Sequence, residues 1–312
     1  MTRFSIIVPH LADNARFEET LVSVLRYRPE NSQVLVVHDG TYDDPYDLDS
    51  EVEFVEAESC ELIQLLNVAM CYVGGELTVV VRPGIEVDEN WHHPVDEAFE
   101  QPMVGAATPI IVSAARPSRI LNAGVNNYAA ARRAVGFGKK LSRRSLASLK
   151  PLGPSSWLAA YRTKALKALL PFDEHLDSVA WDLDVARSLQ LIGFQNTLLS
   201  DCVGVADSEA LFVEEAAIAH GASSQRMQTR SGTSGLADLL ECFGKDMLQL
   251  VSIKPWRLKH LTQRFRAARF RRVDESHFLR LKSLKQEQLW AKCSEPDESN
   301  ATTDFGNFRR AA

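Results

Sequence analysis

The chain has 312 residues, of which 45% are hydrophobic, so it can bury the core of one large α/β domain with an appendage. Its formal net charge of −6 is modest, which argues against a protein built to bind nucleic acid. The five cysteines are scattered without a CxxC pair, which predicts reduced thiols in a cytoplasmic protein. The sequence shows neither a secretory leader pattern nor a run of about 20 apolar residues, so an integral membrane protein is not expected.

The first predicted unit is a strand, a helix and a second strand. Residues 5–9 and 33–37 are short apolar runs rich in β-branched side chains, as is typical of buried parallel strands. Apolar residues recur at helical spacing between them, which predicts an amphipathic helix that ends before Pro29; these residues are Phe17, Leu21, Val24 and Leu25. Because ligands of a βαβ unit sit at the carboxyl ends of its strands, residues 9–10 and 38–40 are expected to face one crevice.

Three linked motifs in this unit resemble the opening of a family 2 glycosyltransferase with the GT-A fold: SIIVP at 5–9, TLVSVL at 20–25 and VVHDGTYDD at 36–44. The resemblance implies an α/β fold with a Rossmann-like, mixed but mainly parallel sheet flanked by helices. It also implies a nucleotide-sugar donor, linked to UDP, dTDP or GDP. Asp39 would accept a hydrogen bond from the base or ribose, with Pro9, His10 and Gly40 beside the nucleotide. The alternative for Asp39 is a carboxylate that only stabilises its own turn.

The next three elements are predicted from local patterns. Residues 51–56 alternate polar and apolar side chains and predict a third strand, and residues 61–73 predict a helix that ends at a Gly-Gly pair. Residues 77–81 are almost entirely apolar and predict a central strand. Asn67 stands where the family carries a helix asparagine, so it is either a nucleotide-sugar ligand or a polar residue of the helix surface.

The sequence departs from the family directly after the strand at 77–81. It reads Arg82-Pro83-Gly84 where the family carries Asp-x-Asp, whose carboxylates hold the Mg²⁺ or Mn²⁺ that neutralises the diphosphate. No metal ligand is therefore assigned, although either ion stays open as a cofactor, since acids follow at Glu86, Asp88 and Glu89. Either Arg82 replaces the metal as a fixed cation at the diphosphate, or the site has lost its chemistry and Arg82 is an exposed loop residue.

Three segments between the two informative parts of the chain are less specific. His92 and His93 are adjacent, and side chains one position apart on a helix point about 100° apart, so a solvated helix start is favoured over a metal site. Residues 103–112 and 119–128 resemble the variable middle section of the family. The basic segment 132–144 is either a mobile loop over the diphosphate or a plain solvated loop, and the plain loop is favoured.

The second informative segment covers residues 153–194. PFDE at 171–174 resembles the family's G-F-D-E turn, and WDLDVARSL at 181–189 resembles its E-D-x-D-L-x-x-R-L helix. Asp182 falls on the carboxylate that serves the family as the catalytic base toward the acceptor hydroxyl, and the resemblance assigns Trp157, Trp181 and Asp184 to the acceptor side. The alternative is that the two aspartates are acids of a first helical turn, favoured there by the helix dipole.

The resemblance covers about residues 4–205, and the chain divides into a GT-A-like domain (1–230), a basic helical extension (231–293) and a tail predicted to be disordered (294–312). Helices are predicted at about 211–229, 236–251 and 255–291. Residues 254–285 carry eleven lysines and arginines against two acids, with aromatic residues interleaved. This helix is either a peripheral contact with the anionic inner membrane or a packed helix with a solvated outer face.

Two functions remain open. The first is a glycosyltransferase, inverting and of the hexosyltransferase type, that moves a sugar from a nucleotide-sugar to a glycan or lipid-linked acceptor in cell-surface polysaccharide synthesis. The second is a degenerate relative that binds a nucleotide-sugar or a partner enzyme without turnover. A dinucleotide-dependent oxidoreductase is disfavoured because no GxGxxG follows the first strand.

Overall fold

The computed structural model describes residues 3–126, 134–209, 212 and 275–286. Within these residues nine strands form one sheet: β1 (Phe4–Pro9), β2 (Ser32–His38), β3 (Glu53–Glu56), β4 (Leu77–Val81), β5 (Ile85–Glu86), β6 (Val104–Ser113), β7 (Arg116–Asn122), β8 (Leu158–Arg162) and β9 (Gln195–Ala206). Their order is β3-β2-β1-β4-β8-β6-β9-β5, and β7 pairs with β6. The architecture is therefore the mixed α/β sheet that the sequence predicted.

The sheet has a parallel half and a mixed half. Strands β3, β2, β1 and β4 are all parallel, whereas β8 runs antiparallel to both β4 and β6. Strand β9 then lies parallel to β6. Because of the reversal at β8, the carboxyl ends of β1, β2 and β4 meet the amino end of β8 at one edge of the sheet.

Seven helices of the described residues flank this sheet: α1 (Asn14–Tyr27), α2 (Leu62–Tyr72), α3 (His92–Phe99), α4 (Arg143–Ala147), α5 (Thr163–Lys167), α6 (Ser178–Ile192) and α7 (Glu275–Gln286). Helix α1 begins where the side chain of Asp13 accepts a hydrogen bond from the backbone N–H of Arg16. Asp177 caps α6 in the same way, and Gly193 ends α6 with φ of 110°, a left-handed conformation that favours glycine.

The core lies on both faces of the sheet. Successive residues of β1 alternate between the two, so that Ile6 and Val8 pack with α1 while Ile7 packs with α2 and α6. The apolar stripe predicted for α1 is buried on the first face, and Trp181 and Phe172 are buried on the second. Helices on both faces are what let the central strands be continuously apolar.

Element boundaries differ from the predictions where a local turn intervenes. The third strand begins at Glu53 rather than at Glu51, because the backbone N–H groups of Glu51 and Val52 donate to the carbonyl of Leu48 and close a turn. In the segment 119–128, strand β7 ends at Asn122, since Gly124 has φ of +93° and turns the chain. Of the helix predicted at 211–229, only Phe212 is described, with a helical backbone and a buried side chain, and the helix predicted at 236–251 lies outside the described residues.

Helix α7 is the described part of the basic C-terminal extension. Leu281 is only 2% exposed and joins the core beside α6, and the guanidinium of Arg280 donates to the carbonyl of Ala168 at 2.8 Å. This part of the extension is therefore packed on the domain. The boundaries predicted at 230 and 293 lie outside the described residues, and among the helices that are described none is long and apolar enough to cross a membrane.

Replacing Leu281 with Ala should lower the free energy of unfolding by about 2–5 kcal/mol, because it leaves a cavity between α7 and α6. The matched control is Leu279→Ala on the same helix, where the side chain is 61% exposed and the change should stay within about 0.5 kcal/mol. Chemical denaturation of both variants gives the comparison. Equal effects would contradict the packing of α7.

The described cysteines, Cys60, Cys71 and Cys202, are free thiols. Burial raises the pKa of Cys202 to about 12, so that thiol is inert at neutral pH. Cys242 and Cys293 lie outside the described residues.

Candidate functional site

The end of β1 is closed by His10, which is only 1% exposed. Its backbone N–H donates to the carbonyl of Val37 at 2.8 Å, and its Nε2 lies 2.7 Å from Oδ1 of Asn14. The imidazole packs against the rings of Phe17 and Tyr42 at centroid distances of 5.0 and 5.2 Å. Burial raises the pKa of Tyr42 to about 12, so its hydroxyl stays protonated. Together these rings form an aromatic floor beneath the ends of β1 and β2, and the contact predicted between His10 and a nucleotide stays a prediction.

Asp39 follows β2 and lies partly exposed in a tight turn. Its carboxylate accepts hydrogen bonds from the backbone N–H and the hydroxyl of Thr41, at 3.2 and 2.5 Å, and these bonds hold the pKa of Asp39 below its usual range. Gly40 has φ of +81°, and a Cβ there would lie 2.7 Å from Oε1 of Glu56. Asp39 is thus ionised and fixed in direction, beside the buried Pro9 on the neighbouring strand. Its bond to a nucleotide stays a prediction.

Arg82 stands at the end of β4 and is held against Trp157. The Cζ atom of the guanidinium lies 3.8 Å from the centroid of the indole ring, and the backbone N–H of Arg82 donates to the carbonyl of Trp157 at 3.0 Å. Trp157 is 4% exposed, while Arg82 is only partly buried. A guanidinium stacked on an indole keeps its charge and its planar fork in one orientation. Arg82 is therefore a positioned cation rather than an exposed loop residue.

Helix α1 fixes the loop that follows Arg82. The hydroxyl of Thr20 accepts a hydrogen bond from the backbone N–H of Gly84 at 3.0 Å, and the hydroxyl of Ser23 accepts one from Val87 at 3.3 Å. Both hydroxyl residues are buried. The carbonyl of Arg82 accepts from Ile85 at 3.2 Å, which closes the turn. This segment is built into the fold by two buried side chains of α1.

Replacing Gly84 with Ala should lower the free energy of unfolding by about 1–2 kcal/mol, because Gly84 has φ of +91° and an L-residue is strained there. Gly74 provides the matched control, since the nearest atom to a Cβ there is 3.8 Å away and its φ is not in the left-handed range. Gly74→Ala should not destabilise the protein. If thermal unfolding gave the two variants the same stability, the strained turn would be contradicted.

The residues at this edge do not fit a divalent cation. A guanidinium stands where carboxylate oxygens would be needed, and Glu86, Asp88 and Glu89 are exposed, with Glu86 on β5. Among the described residues, no group of three or more His, Cys, Asp or Glu side chains is arranged to hold a metal ion. His92 is partly buried and His93 is exposed at the start of α3, as the predicted helix start requires.

Asp182 lies on α6 and faces the turn before β8. Its Oδ1 accepts a hydrogen bond from the backbone N–H of Ser156 at 2.9 Å, and the side chain is only 2% exposed. Helix α6 begins at Ser178, so Asp182 and Asp184 lie beyond the first turn, which contains no acid. The alternative interpretation of these aspartates as first-turn acids is therefore wrong. Asp182 is a desolvated carboxylate, oriented by a backbone donor.

A short chain of contacts joins the cation to this carboxylate. Arg82 lies on Trp157, Trp157 follows Ser156, and Ser156 binds Asp182. The structure thus places two predicted site residues, from β4 and α6, on either side of the 155–157 turn. Residues 9–10 and 39–40 lie at the ends of the neighbouring strands of the same edge.

Other predicted site residues have structural partners. Asn67 accepts from the backbone N–H of Phe172 at 2.8 Å and donates to its carbonyl at 3.1 Å, so it fixes the 171–174 turn on α2. Trp181 is 1% exposed and packs against Phe172 and Tyr161 in the core. Asp184 is 7% exposed. Direct contacts of these three residues with a donor or acceptor stay predictions.

The Tyr161-Arg162 pair lies at the opposite end of β8 from Trp157. Tyr161 is fully buried, and burial raises its pKa well above the usual value. The guanidinium of Arg162 donates to the carbonyls of Phe99 and Val104, at 2.9 and 3.1 Å, beside the end of α3. This pair therefore lies away from the site edge, which Trp157 reaches at the other end of β8.

Sequence reasoning missed the supporting groups. Thr20 and Ser23 belong to the TLVSVL motif, but the motif does not show that their hydroxyls hold the loop after Arg82. That role depends on backbone N–H groups 64 residues away in the sequence. The backbone donor of Ser156 and the ring of Tyr42 carried no sequence signal of their own. A buried hydroxyl at two positions of one helical face is the clue that could have found the first pair.

Comparison with known proteins places the fold. No known family description matches the sequence, and no curated protein matches it. Among solved structures, GalNAc-T7 with UDP, GalNAc and Mn²⁺ is 12% identical with a TM-score of 0.58, over 92% of this chain and 54% of that chain. The chain has a GT-A-like glycosyltransferase fold. It spans about half the length of that structure.

Two other solved structures are similar at a lower level. The mannosyltransferase PcManGT from Pyrobaculum calidifontis, in complex with GDP-Man and Mn²⁺, is 15% identical with a TM-score of 0.48, over 93% of this chain and 73% of that chain. Residues 1–349 of TarS from S. aureus are 17% identical with a TM-score of 0.48, over 93% of this chain and 82% of that chain.

Proposed function

We propose that this protein is a glycosyltransferase that moves a sugar from a nucleotide-sugar to a hydroxyl of a glycan or lipid-linked acceptor. The observation that carries the proposal is the series Arg82–Trp157–Ser156–Asp182, which sets a fixed cation and a desolvated carboxylate on either side of one turn. A glycosyl transfer needs both charges, because negative charge develops on the leaving diphosphate and the attacking hydroxyl must lose a proton.

The donor side of the proposal rests on the ends of β1, β2 and β4. Asp39 is ionised and held by Thr41, so it can accept a hydrogen bond from a base or ribose. In this proposal the planar guanidinium of Arg82 donates two parallel hydrogen bonds to the diphosphate oxygens. Its stacking on Trp157 means that little side-chain freedom is lost when the diphosphate binds.

The acceptor side rests on Asp182. In this proposal the carboxylate of Asp182, which is oriented by the backbone N–H of Ser156, takes the proton of the acceptor hydroxyl. The hydroxyl oxygen then forms the new bond to the anomeric carbon, and the bond from that carbon to the diphosphate oxygen breaks, so the nucleoside diphosphate leaves with the electron pair. Attack from the face opposite the leaving group makes the transfer inverting.

A second candidate function follows from the Arg82-Pro83-Gly84 sequence itself. A single guanidinium carries one charge where Mg²⁺ or Mn²⁺ carries two. One charge can bind a diphosphate, but it stabilises the diphosphate less as a leaving group than a divalent ion would. The alternative is therefore a catalytically degenerate protein that binds a nucleotide-sugar or a partner enzyme without turnover. Where the degenerate protein binds a nucleotide-sugar, the two proposals differ only in whether the donor is consumed.

Calorimetric titration with UDP, GDP and dTDP, followed by their sugar conjugates, tests the proposal in two steps. Binding in the presence of chelator supports the fixed cation, and release of nucleoside diphosphate from a bound conjugate supports turnover. Tight binding without release would select the degenerate alternative. Absence of binding to all three nucleotides, with and without Mn²⁺, would refute the transferase and leave only a degenerate protein that binds a partner enzyme.

The proposal has finer parts that rest on the sequence resemblance. They are membership of family 2, hexosyl transfer in cell-surface polysaccharide synthesis, a cytoplasmic location and a peripheral membrane contact through residues 254–285. On the described part of that segment, Lys282 and Lys285 are exposed beside the exposed Leu279, as such a contact requires.

A further inference from the structure

Residues 101–172 contain no aspartate or glutamate, although the whole chain carries a net charge of −6. The same 72 residues hold twelve lysines and arginines, which leaves 23 basic against 41 acidic side chains elsewhere. Basic and acidic residues are therefore distributed very unevenly along the chain, and five of these twelve basic residues are exposed within one short segment.

These five residues are Lys139, Lys140, Arg143, Arg144 and Lys150, and we refer to the surface that they form as the basic surface. All five side chains are exposed, on the segment that runs alongside β7 and through α4. The backbone N–H of Leu141 donates to the carbonyl of Ser118 at 2.7 Å, and Lys140 pairs with Arg119 across the same ladder. Residues 138–141 of the segment predicted as a loop are therefore bonded to the sheet, and residues 132–133 lie outside the described residues.

The apolar residues of this segment point away from solvent. Leu149 is buried with Ile120 and Val112, and Leu141 and Leu146 pack against the same cluster. No aromatic residue occurs between positions 138 and 156. The basic surface therefore offers cations and serine hydroxyls outward, without the apolar anchors that hold a helix in a membrane interface or the aromatic rings that stack on nucleic acid bases.

The charges of the basic surface are not neutralised by the described part of the protein. None of the five residues forms an ion pair with another described residue. Glu209, which faces β7, is already held by Arg116 at 2.7 Å and by Arg119 at 3.5 Å. Five cations within twelve residues thus remain available to an anionic partner that spans several of them.

The basic surface leads directly to the candidate base. Lys150 precedes Ser156 by six residues, which spans at most about 20 Å of extended chain. Between them, Gly153 is packed so closely against α6 that a Cβ there would lie 2.5 Å from the Cβ of Ala186. The connection between Lys150 and the residue that holds Asp182 is therefore short and fixed.

We propose that the basic surface binds the acceptor, and that the acceptor is a polyanionic glycan with phosphate or carboxylate groups along its chain. This assignment rests on the transferase function proposed above and adds the substrate class. Repeated anionic groups would occupy the exposed cations while a hydroxyl further along the same chain reaches Asp182. A neutral glycan would gain nothing from these five residues.

The test compares two double variants of the full-length protein with equal net charge. Arg143→Gln and Arg144→Gln together alter the basic surface, and Arg26→Gln and Lys164→Gln remove two exposed charges elsewhere; each variant changes the net charge from −6 to −8. All four residues are exposed, so both variants should fold, and thermal unfolding checks this. The probes are polygalacturonate, phosphorylated dextran and neutral dextran, with poly-dT and phosphatidylglycerol vesicles as competing anions.

The unmodified protein should bind at least one anionic polymer about tenfold or more tightly than neutral dextran, and added salt should weaken that binding. The basic-surface variant should lose about tenfold in affinity, and the control variant less than about twofold. Preference between polygalacturonate and phosphorylated dextran identifies the anionic group. Equal losses in the two variants, tighter binding of poly-dT than of either polymer, or tighter binding of vesicles that the basic-surface variant loses, would overturn the proposal.

Nucleotide titration of the same samples separates the two proposals. If no nucleotide binds but polymer binding still depends on the basic surface, the transferase function fails and the polyanion surface stands. If nucleotide binds equally in both variants and neither anionic polymer binds, the acceptor class is wrong and the transferase function stands.

Discussion

Replacing Asp182 with Asn is expected to reduce turnover by about 10²–10⁴-fold, the range that a positioned general base contributes. Asparagine has nearly the same shape, and its amide oxygen can still accept the hydrogen bond from Ser156 that now measures 2.9 Å. It cannot take a proton from the acceptor hydroxyl. The affinity for the nucleotide-sugar should therefore stay within about twofold, since Asp182 makes no contact with the donor in the proposed mechanism.

The control for this substitution lies on the same helix. Asp177 caps α6 through a hydrogen bond to the backbone N–H of Ala180 at 2.9 Å, and asparagine is an equally good cap. Asp177→Asn thus removes one carboxylate from α6 without touching the site, and turnover should be unchanged. Product formation is measured at saturating donor, and donor affinity by titration. If Asp182→Asn weakened donor binding while the rate at saturation was retained, the assignment of a base would be contradicted.

Replacing Arg82 with Ala is expected to weaken nucleoside diphosphate binding by about 10–100-fold, because hydrogen bonds to charged groups contribute roughly 1.5–3 kcal/mol. The loss should be the same with chelator and with Mn²⁺, since the proposed cation is the guanidinium itself. Arg82→Lys keeps the charge but loses the planar fork and the stacking on Trp157. Its affinity for the nucleoside diphosphate should therefore lie between that of the unmodified protein and that of Arg82→Ala.

A surface arginine supplies the comparison for Arg82. Arg26 is exposed on α1, and Arg26→Ala should leave nucleotide affinity unchanged. Intrinsic fluorescence offers a second readout, because the ring of Trp157 lies 3.8 Å from the guanidinium and binding of a diphosphate changes its surroundings. Binding that Arg82→Ala does not alter would place the diphosphate elsewhere, and binding that appears only with Mn²⁺ would show that carboxylates supply a metal site.

The sequence by itself determined the elements of the first half of this protein. The strands at β1, β2 and β4 and the helix α1 follow from short apolar runs, helical periodicity and turn residues, all of which act within about 15 positions. Strand β4 was predicted with the observed bounds, Leu77–Val81. The departure from the family at residues 82–84 was also visible, because it is a matter of residue type.

The tertiary structure alone decided how the side chain of Arg82 is held. Its partner Trp157 is 75 positions away, and the two meet only because β8 runs antiparallel to β4. The same reversal brings the backbone of Ser156 to Asp182. A pattern of residue types carries no information about which strand pairs with which. The sequence therefore could not show whether the side chain of Arg82 is held by a partner or exposed in a loop.

The basic segment shows the same division. The absence of acids from residues 101–172 is plain in the sequence, but charge alone does not distinguish a solvated loop from a fixed surface. Backbone hydrogen bonds from 138–141 to β7 and the burial of Leu149 make that distinction. Local patterns thus determined which elements form, while long-range strand pairing and packing decided which side chains they bring together, because those contacts are made between residues far apart in the chain.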